Sequence, residues 1–286
     1  LPDQLDRPDL KFEKYTATVP KPLQHNENIF SAIRQNDFLL HHPYESYSPV
    51  VSLLKAAASD PAVLAIKMTL YRTGAESPIV DALINAARNG KEVTAVVELR
   101  ARFDEAANID LATRLQEAGA KVAYGIVGHK CHAKMMLIVR REHGTMRRYV
   151  HLGTGNYHVS TSRFYTDFSY MTADPEIGED VHNVFLQLTS LSGVLPMNRL
   201  LLAPFTLKRT LLELIHAEAE AARSGRPAFV RAKLNALSEP AVISSLYEAS
   251  QAGVQIDLVV RGICCLRPGV PGVSDNIRVR SILGRF

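Results

Sequence analysis

The stretch that decides the fold is "SPIVDALINAARNGKEVTAVVELR", Ser77 to Arg100. Ser77 suits a helix N-cap, Pro78 suits the first helical position and Gly90 suits the C-terminal stop, so a helix is predicted between them. The β-branched run from Lys91 to Arg100 predicts a strand directly after that glycine. A helix that passes through a glycine into a strand is the second half of a parallel strand–helix–strand unit.

The flanking segments continue this alternation. "AVLAIKMTLYR" (62–72) predicts the preceding strand, "FDEAANIDLATRLQEAG" (103–119) a second helix and "KVAYG" (121–125) a third strand. The order strand, helix, strand, helix, strand predicts a parallel sheet covered by helices.

The pattern then changes to an antiparallel one. Two strand-like runs, "CHAKMMLIVRR" (131–141) and "MRRYVHLGTGN" (146–156), flank "EHG" and predict a hairpin. "FSYMTAD" (168–174) predicts a further strand, and "PEIGEDVHNVFLQLTS" (175–190) predicts a closing helix. The predicted first domain runs from residue 43 to residue 192, and residues 1–42 are interpreted as a lead-in from an absent N-terminal region.

A second domain, residues 193–286, repeats the first in outline. Aligning Gly253 on Gly90 places Leu246 on Leu83 and Val260 on Val97, which indicates an internal duplication, although all such α/β units share the general pattern. The same alignment places Asn235 on Arg72 and puts an equivalent of His132 near residue 295, so the second domain is expected to be incomplete. The predicted fold class is α/β, with two α/β/α domains related by the duplication.

The segment "GHKCHAKMMLIV" (128–139) carries the first chemical signal. His132 and Lys134 are two residues apart in a predicted strand, so their side chains should project to the same face. A single H-x-K is more often a solvated strand end. The partner strand, however, ends in "HLGTGNY" (151–157), whose turn contains Asn156. Lysine, asparagine and a nucleophilic imidazole together could bind and attack one phosphate.

Other polar residues fall at predicted strand ends. Arg72 and Arg102 end parallel strands, where open α/β sheets bind ligands, and Lys233 and Asn235 occupy the corresponding end in the second domain. Asp167 is predicted to accept a ring N–H of His132 and so orient it, with Glu98 as the alternative. His41 and His42 are interpreted as ordinary loop residues. No Cys/His set has zinc spacing, and no P-loop motif is present.

Composition limits the class of protein. The chain has 286 residues, 47% hydrophobic and 22% charged, with a net charge of +4 and three cysteines. These values predict a soluble globular protein in a reducing, cytoplasmic setting, with no requirement for nucleic acid as a partner. No apolar run approaches the roughly 20 residues that span a bilayer. Peripheral association with a membrane is left open.

Longer motifs carry a family resemblance. H-x-K followed by G-[ST]-x-N resembles the phospholipase D superfamily, except that Val139 stands where that superfamily has an aspartate. Several stretches in order are similar to polyphosphate kinases with phospholipase D-like catalytic domains: "KMTLYRTG", "VVELRARFDEAANI", "HAKMMLIVRRE", "HLGTGNYH", "RFYTDFSYMTAD" and "VRGICCLRPGVPGVSDNIRVRSILGRF". This second resemblance covers the chain from about residue 40 onward.

The resemblance implies reversible transfer of the terminal phosphoryl group of ATP to inorganic polyphosphate. His132 matches the phosphorylated histidine, and Tyr165 and Arg261 match positions that contact the nucleotide. Arg72 and Arg102 match positions associated with Mg²⁺ and phosphate. Because a guanidinium has no useful lone pair, we interpret these arginines as holding phosphate oxygens that also bind Mg²⁺.

The expected partners are ATP or ADP and polyphosphate, and the full-length protein is expected to be a homo-oligomer. Two alternatives remain at this point. One is a phosphodiesterase or nuclease of the phospholipase D type, and the other is a polyanion-binding module without catalysis.

Overall fold

The computed structural model describes residues 7–13, 15–24, 28–71, 77–98, 105–126, 128–190, 193 and 195–282. They divide into one compact unit up to Leu200 and a second from Leu201 onward. None of the helices in these described ranges is long and apolar enough to cross a membrane.

The first unit is built on a mixed seven-stranded sheet. Its strands lie in the order β1-β7-β6-β5-β2-β3-β4 and are β1 (Phe38–His42), β2 (Val63–Leu70), β3 (Glu92–Val97), β4 (Lys121–Ala123), β5 (Lys134–Glu142), β6 (Thr145–Gly153) and β7 (Asp167–Thr172). β2, β3 and β4 are parallel to one another, whereas β5 pairs antiparallel with β2 and β6, and β7 pairs antiparallel with β6 and β1. The predicted parallel core and the predicted hairpin are both confirmed.

Helices cover both faces of this sheet. They are α1 (Lys21–Gln24), α2 (Ile29–Gln35), α3 (Ser48–Ser59), α4 (Pro78–Arg88), α5 (Glu105–Glu117) and α6 (Pro175–Thr189). α3 packs on α4, and α6 packs on β5 and β6 with Val181 and Phe185 fully buried. Ser77 is the N-cap of α4 as predicted, but its side chain makes no capping hydrogen bond. Proline at the first helical position therefore contributes more to this helix start than the serine hydroxyl.

The first unit begins before residue 43, contrary to the predicted boundary. β1 pairs with β7 from Phe38 opposite Met171 to His42 opposite Asp167, and Phe30 and Ile33 of α2 are buried in the core. β7 would otherwise present an unpaired edge, which β1 covers. The part of the predicted lead-in from residue 28 onward is thus an integral part of the sheet and core.

The second unit has a parallel three-stranded sheet in the order β10-β9-β8. Its elements are α7 (Leu207–Arg223), β8 (Phe229–Leu234), α8 (Pro240–Gln251), β9 (Gln255–Val260) and β10 (Ile277–Arg280). The duplication is visible in matched details. Gly90 and Gly253 both have left-handed backbone conformations, with φ of 78° and 101°. The glycine identity is required there because other residues are strained at such angles.

The strand registers show that the alignment of Asn235 on Arg72 is wrong. Leu70 lies opposite Val97 in the first unit, and Leu234 lies opposite Val260 in the second. Leu234 is therefore the equivalent of Leu70, and Asn235 corresponds to Tyr71, one residue before Arg72. The sequence alignment was wrong by one residue at this strand because it was anchored on the glycine and not on the strand pairing.

Candidate active site

Strand ends from distant parts of the chain meet along one line of the first sheet, at the carboxyl ends of β2 and β3. This line of strand ends is here called the edge. β2 and β3 end there, and β5 begins there because it runs antiparallel to β2. β6 ends at Gly153 opposite Lys134, and β7 begins at Asp167 opposite His42. Register therefore brings the H-x-K segment, the glycine-rich turn and Asp167 to a common edge, as the sequence pattern predicted for the first two.

His132 and Lys134 form the centre of this edge. His132 is exposed, whereas Lys134 is only 5% exposed. Nζ of Lys134 lies 3.0 Å from Nδ1 of His132 and 2.6 Å from the His132 carbonyl oxygen. Burial lowers the pKa of Lys134 to about 8, although the charge of Asp167 acts in the opposite direction. The pair thus joins an accessible imidazole to an amine whose pKa is lowered by burial.

Tyr71 supports this pair and was not identified from the sequence. Its buried ring lies edge-to-face with His132, with 5.3 Å between the ring centroids. Nζ of Lys134 lies 5.0 Å and Nζ of Lys130 lies 5.5 Å from the Tyr71 centroid. An aromatic face attracts cations at this range. The only signal in the sequence was the position of Tyr71 directly before Arg72 at a strand end.

Glu98 acts on the backbone next to His132. Its buried carboxylate accepts a hydrogen bond from the N–H of Cys131 at 2.8 Å, and its own carbonyl accepts one from the Asn108 side chain at 3.0 Å. These contacts connect the end of β3 to the segment that enters β5. Glu98 therefore helps to set where the H-x-K motif lies, and an orienting bond from Glu98 to the His132 ring stays a prediction.

Asp167 is held by the glycine-rich turn. Its Oδ1 accepts a hydrogen bond from the Thr154 hydroxyl at 2.8 Å, and the same hydroxyl oxygen accepts one from the Phe168 N–H at 2.9 Å. A Cβ at Gly155 would lie 2.5 Å from Oδ2 of Asp167, so the turn needs glycine to approach the carboxylate. Asp167 thus lies at the same edge as Lys134, while its orienting role toward His132 remains untested.

Asn156 and Tyr165 flank Asp167. Asn156 is partly buried, and its carbonyl accepts a hydrogen bond from the His158 N–H at 2.8 Å. Tyr165 is 50% exposed and follows a short 3₁₀ turn at Thr161–Arg163. The ring of Tyr165 is therefore accessible at this edge.

Two histidines near the edge, His42 and His151, are buried in strands, which the sequence did not indicate. His42 is not a loop residue, because it ends β1 and is only 2% exposed. Burial lowers the pKa of His42 below its ordinary value. His151 is also buried, with Nδ1 2.7 Å from the Tyr157 hydroxyl, and burial lowers its pKa to about 3. No local pattern separates a buried strand-end histidine from a solvated one, so sequence reasoning missed both.

The predicted residues of the second unit share an edge of their own sheet. Lys233 lies near the end of β8, Asn235 follows it, and Arg261 follows β9. The N–H of Arg261 donates to the Leu234 carbonyl at 3.0 Å, and the N–H of Gly262 donates to the Asn235 carbonyl at 2.8 Å. The side chains of Lys233 and Arg261 are exposed. Two cationic side chains and one amide therefore lie at the ends of neighbouring strands.

The predicted magnesium and phosphate residues Arg72 and Arg102 lie outside the described residues. Within the part of the chain that is described, no group of three or more His, Cys, Asp or Glu residues could hold a metal ion. Mg²⁺ prefers oxygen ligands and is often bound through substrate phosphates with few protein groups. The described side chains therefore do not form a magnesium site by themselves.

Comparison with known families accounts for this arrangement. Residues 28–194 match the family described as polyphosphate kinase C-terminal domain 1, and residues 200–286 match polyphosphate kinase C-terminal domain 2. The chain belongs to the polyphosphate kinase family. These two matches divide the chain at nearly the same place as the two compact units of the structure.

Individual polyphosphate kinases are similar along the whole chain. It is 60% identical over 290 aligned residues to polyphosphate kinase of Burkholderia multivorans, covering 100% of this chain and 42% of that protein. It is 62% identical to polyphosphate kinase of Pseudomonas aeruginosa, and the alignment covers 98% of this chain and 40% of that protein. The crystal structure of polyphosphate kinase from Porphyromonas gingivalis superimposes with a TM-score of 0.88 at 38% identity, over 98% of this chain and 47% of that one. The chain thus spans less than half the length of these relatives.

Proposed function

We propose that this chain carries the phosphoryl-transfer site of a polyphosphate kinase. The protein would move the terminal phosphoryl group of ATP reversibly onto inorganic polyphosphate through a phosphohistidine at His132. The observation that supports this most directly is the exposed imidazole of His132, hydrogen-bonded at 3.0 Å to the buried Lys134 amine. Membership of the polyphosphate kinase family supports the choice of substrates.

The reaction proceeds in two phosphoryl-transfer steps. In the first, a ring-nitrogen lone pair of His132 bonds to the γ-phosphorus of ATP, the bond from that phosphorus to the β–γ bridging oxygen breaks, and ADP leaves with the electron pair. In the second, a terminal oxygen of polyphosphate bonds to the phosphorus, the P–N bond breaks and the imidazole is regenerated. The polymer is one phosphate longer, and the reverse sequence makes ATP from ADP.

Lys134 governs which ring nitrogen can attack. A neutral Lys134 amine accepts a hydrogen bond from Nδ1–H and leaves the Nε2 lone pair for phosphorus. A protonated Lys134 donates to Nδ1, so the proton of the neutral imidazole sits on Nε2. With a pKa of about 8, Lys134 reaches both states near neutral pH. When protonated, it also offers its charge to phosphate oxygens.

The remaining site residues bind the polyanionic substrates. In the first unit, Tyr165 and Asn156 contact the nucleotide and its phosphates. In the second unit, Arg261, Lys233 and Asn235 donate to nucleotide or polyphosphate oxygens at the ends of their own strands. The carboxylate charge of Asp167 stabilises the phosphorylated imidazolium, whose Nδ1–H is hydrogen-bonded to the neutral Lys134 amine. Arg72 and Arg102 hold phosphate oxygens. Mg²⁺ bound to the nucleotide would neutralise phosphate charge, which is the main need in phosphoryl transfer.

The whole protein is proposed to act in the cytoplasm as a homo-oligomer, with ATP or ADP and polyphosphate as its partners. This proposal rests on membership of the polyphosphate kinase family.

Phosphoryl labelling tests the proposed function. The full-length protein, its His132→Ala variant and a His216→Ala control are incubated with Mg²⁺ and γ-labelled ATP. His216 is an exposed residue of α7 and serves as a matched histidine outside the site. We expect acid-labile, base-stable label on His132 in the unmodified protein and in the control, and none in His132→Ala. An unlabelled protein that still binds ATP would favour the diesterase or polyanion-binding alternative.

A further inference from the structure

Three buried polar side chains lie directly behind the Asp167 end of the site, and the proposed mechanism gives them no role. His42 lies opposite Asp167 in the pairing of β1 with β7 and is 2% exposed. Ser169 is two residues further along β7, on the same face as Asp167, and is also 2% exposed. Tyr47, at the N-cap of α3, is 8% exposed. Burying such groups is costly unless they find hydrogen-bond partners.

His42 and Ser169 have defined partners. Nδ1–H of His42 donates to the Glu45 carbonyl at 2.8 Å, because a carbonyl can only accept. Nε2 of the neutral ring therefore accepts a hydrogen bond from the Ser169 hydroxyl, also at 2.8 Å. These two bonds fix the tautomer and the orientation of the His42 ring. The ring is therefore held in one position on the strand that pairs with Asp167.

Tyr47 differs because its hydroxyl oxygen is buried and has no hydrogen-bond partner among the described residues. It lines a cavity of about 10 Å³. His42, Ser169, Gly155, Asn156 and Asp167 line the same cavity. A buried water needs roughly 10–15 Å³ of such space and two to four polar partners. The Tyr47 hydroxyl, the Asp167 carboxylate and the Asn156 side chain can supply them.

We propose that this cavity binds one ordered water molecule that bridges Tyr47 to the Asp167–Asn156 end of the site. His42, Ser169 and Tyr47 then act as positioning residues. The Thr154 hydroxyl donates a hydrogen bond to Oδ1 of Asp167, and the proposed water would donate a second one to the same carboxylate. This proposal deepens the proposed function and rests on it, because it concerns how Asp167 and Asn156 are held for transfer to and from His132.

Replacing Tyr47 by phenylalanine separates a bridging role from simple packing. If the hydroxyl has no water partner, Tyr47→Phe removes a buried unsatisfied group, and stability is unchanged or increased. If the hydroxyl binds a bridging water, the same change releases that water and loosens Asp167. Small displacements of a positioned group cost catalysis far more than binding.

The experiment uses the full-length protein with Tyr47→Phe, Ser169→Ala and the double variant. Tyr149→Phe is the control, because that hydroxyl contacts Glu142 at the other end of the hairpin. We expect kcat for polyphosphate synthesis and the rate of His132 labelling to fall about tenfold in each single variant, with KM for ATP changed less than twofold. The double variant should lose little more than either single one, because both residues line the cavity that holds the proposed water and each change disturbs the same site. The control should lose stability but keep kcat.

Unchanged kcat and equal or higher thermal stability in Tyr47→Phe would overturn the positioning role. Fully additive losses in the double variant would overturn the shared water. Neither outcome affects the proposed function, which fails only if the unmodified protein carries no label on His132.

Discussion

Nζ of Lys134 lies 3.0 Å from Nδ1 of His132 and 2.6 Å from the carbonyl oxygen of the same histidine. The lysine is buried and the histidine is exposed. An H-x-K motif can therefore do more than present two cations to a phosphate, because here the lysine is already bonded to the ring that is proposed to attack. The protonation state of Lys134 becomes part of the chemistry of His132.

This relationship predicts a pH dependence for phosphorylation. The lowered pKa of Lys134, about 8, means that the amine loses its proton as pH rises from 7 to 9. At saturating ATP, the rate of His132 labelling should rise about tenfold over that range as the Nε2 lone pair becomes available. Rapid-quench labelling of the full-length protein at several pH values measures this rate.

Lys134→Arg is the matched variant, because a guanidinium stays protonated throughout this range. Its labelling rate should be lower and nearly independent of pH. A flat profile in the unmodified protein, or the same rising profile in Lys134→Arg, would show that another group controls the reaction.

Tyr71 should matter through its ring. Its face lies 5.0 Å from the Lys134 ammonium and its ring contacts His132 edge-to-face. Partly buried cation–π contacts contribute on the order of 1–2 kcal/mol. Loss of this contact favours the neutral Lys134 amine, so Tyr71→Leu should move the midpoint of the pH profile for His132 labelling about one unit lower, and Tyr71→Phe, which keeps the ring, should move it much less. Equal shifts in both variants would assign the effect to the hydroxyl.

Gly155 is predicted to be intolerant of any side chain. A Cβ there would lie 2.5 Å from Oδ2 and 3.0 Å from Cβ of Asp167, so the turn and the carboxylate must separate. Gly155→Ala should reduce kcat by about tenfold or more, since the Thr154–Asp167 contact is lost. Gly193→Ala is the control, because nothing lies within 4 Å of a Cβ at that position. Wild-type kcat in Gly155→Ala would show that the position of Asp167 is not critical.

His151 should make the protein sensitive to acid. Burial lowers its pKa to about 3, below the ordinary value near 6.5. The unfolded chain therefore binds a proton between those two values that the folded chain does not, so stability is highest above pH 6.5 and falls as pH decreases. The free energy of unfolding should decline by about 1.4 kcal/mol for each pH unit well below 6.5 from this group alone.

Denaturant unfolding at pH 7, 6, 5 and 4 measures this effect against His151→Asn. Asparagine can still reach the Tyr157 hydroxyl but does not titrate. The variant should be less stable at pH 7 and should lose less stability on acidification. Parallel pH curves for the two proteins would contradict the predicted role of His151.

Much of the first unit could be predicted from local patterns. The Ser77–Pro78 start and the Gly90 stop predicted α4, and the runs around "EHG" predicted the hairpin of β5 and β6. The pairing of His132 with Lys134 followed from the two-residue period of a strand. Each of these features depends on residues that are close together in the chain.

Features that depend on strand pairing could not be predicted in the same way. β1 was read as part of a lead-in because its pairing partner, β7, is more than a hundred residues away in the chain. Asn235 was aligned on Arg72, whereas the register of β8 with β9 matches it to Tyr71. An alignment anchored on Gly90 and Gly253 cannot detect a shift of one residue in β8, although such a shift moves every side chain to the other face of a sheet.

The sequence by itself determined the alternating elements from β2 to α6, the outline of a second α/β unit, and the motif that carries His132 and Lys134. Only the tertiary structure decided that His42 lies opposite Asp167, that Tyr71 packs against His132, and that Glu98 holds the Cys131 backbone. The physical reason is that helix signals and strand periodicity are local properties of the chain. The surroundings of a catalytic side chain are set by register between distant strands and by the space that buried groups leave between them.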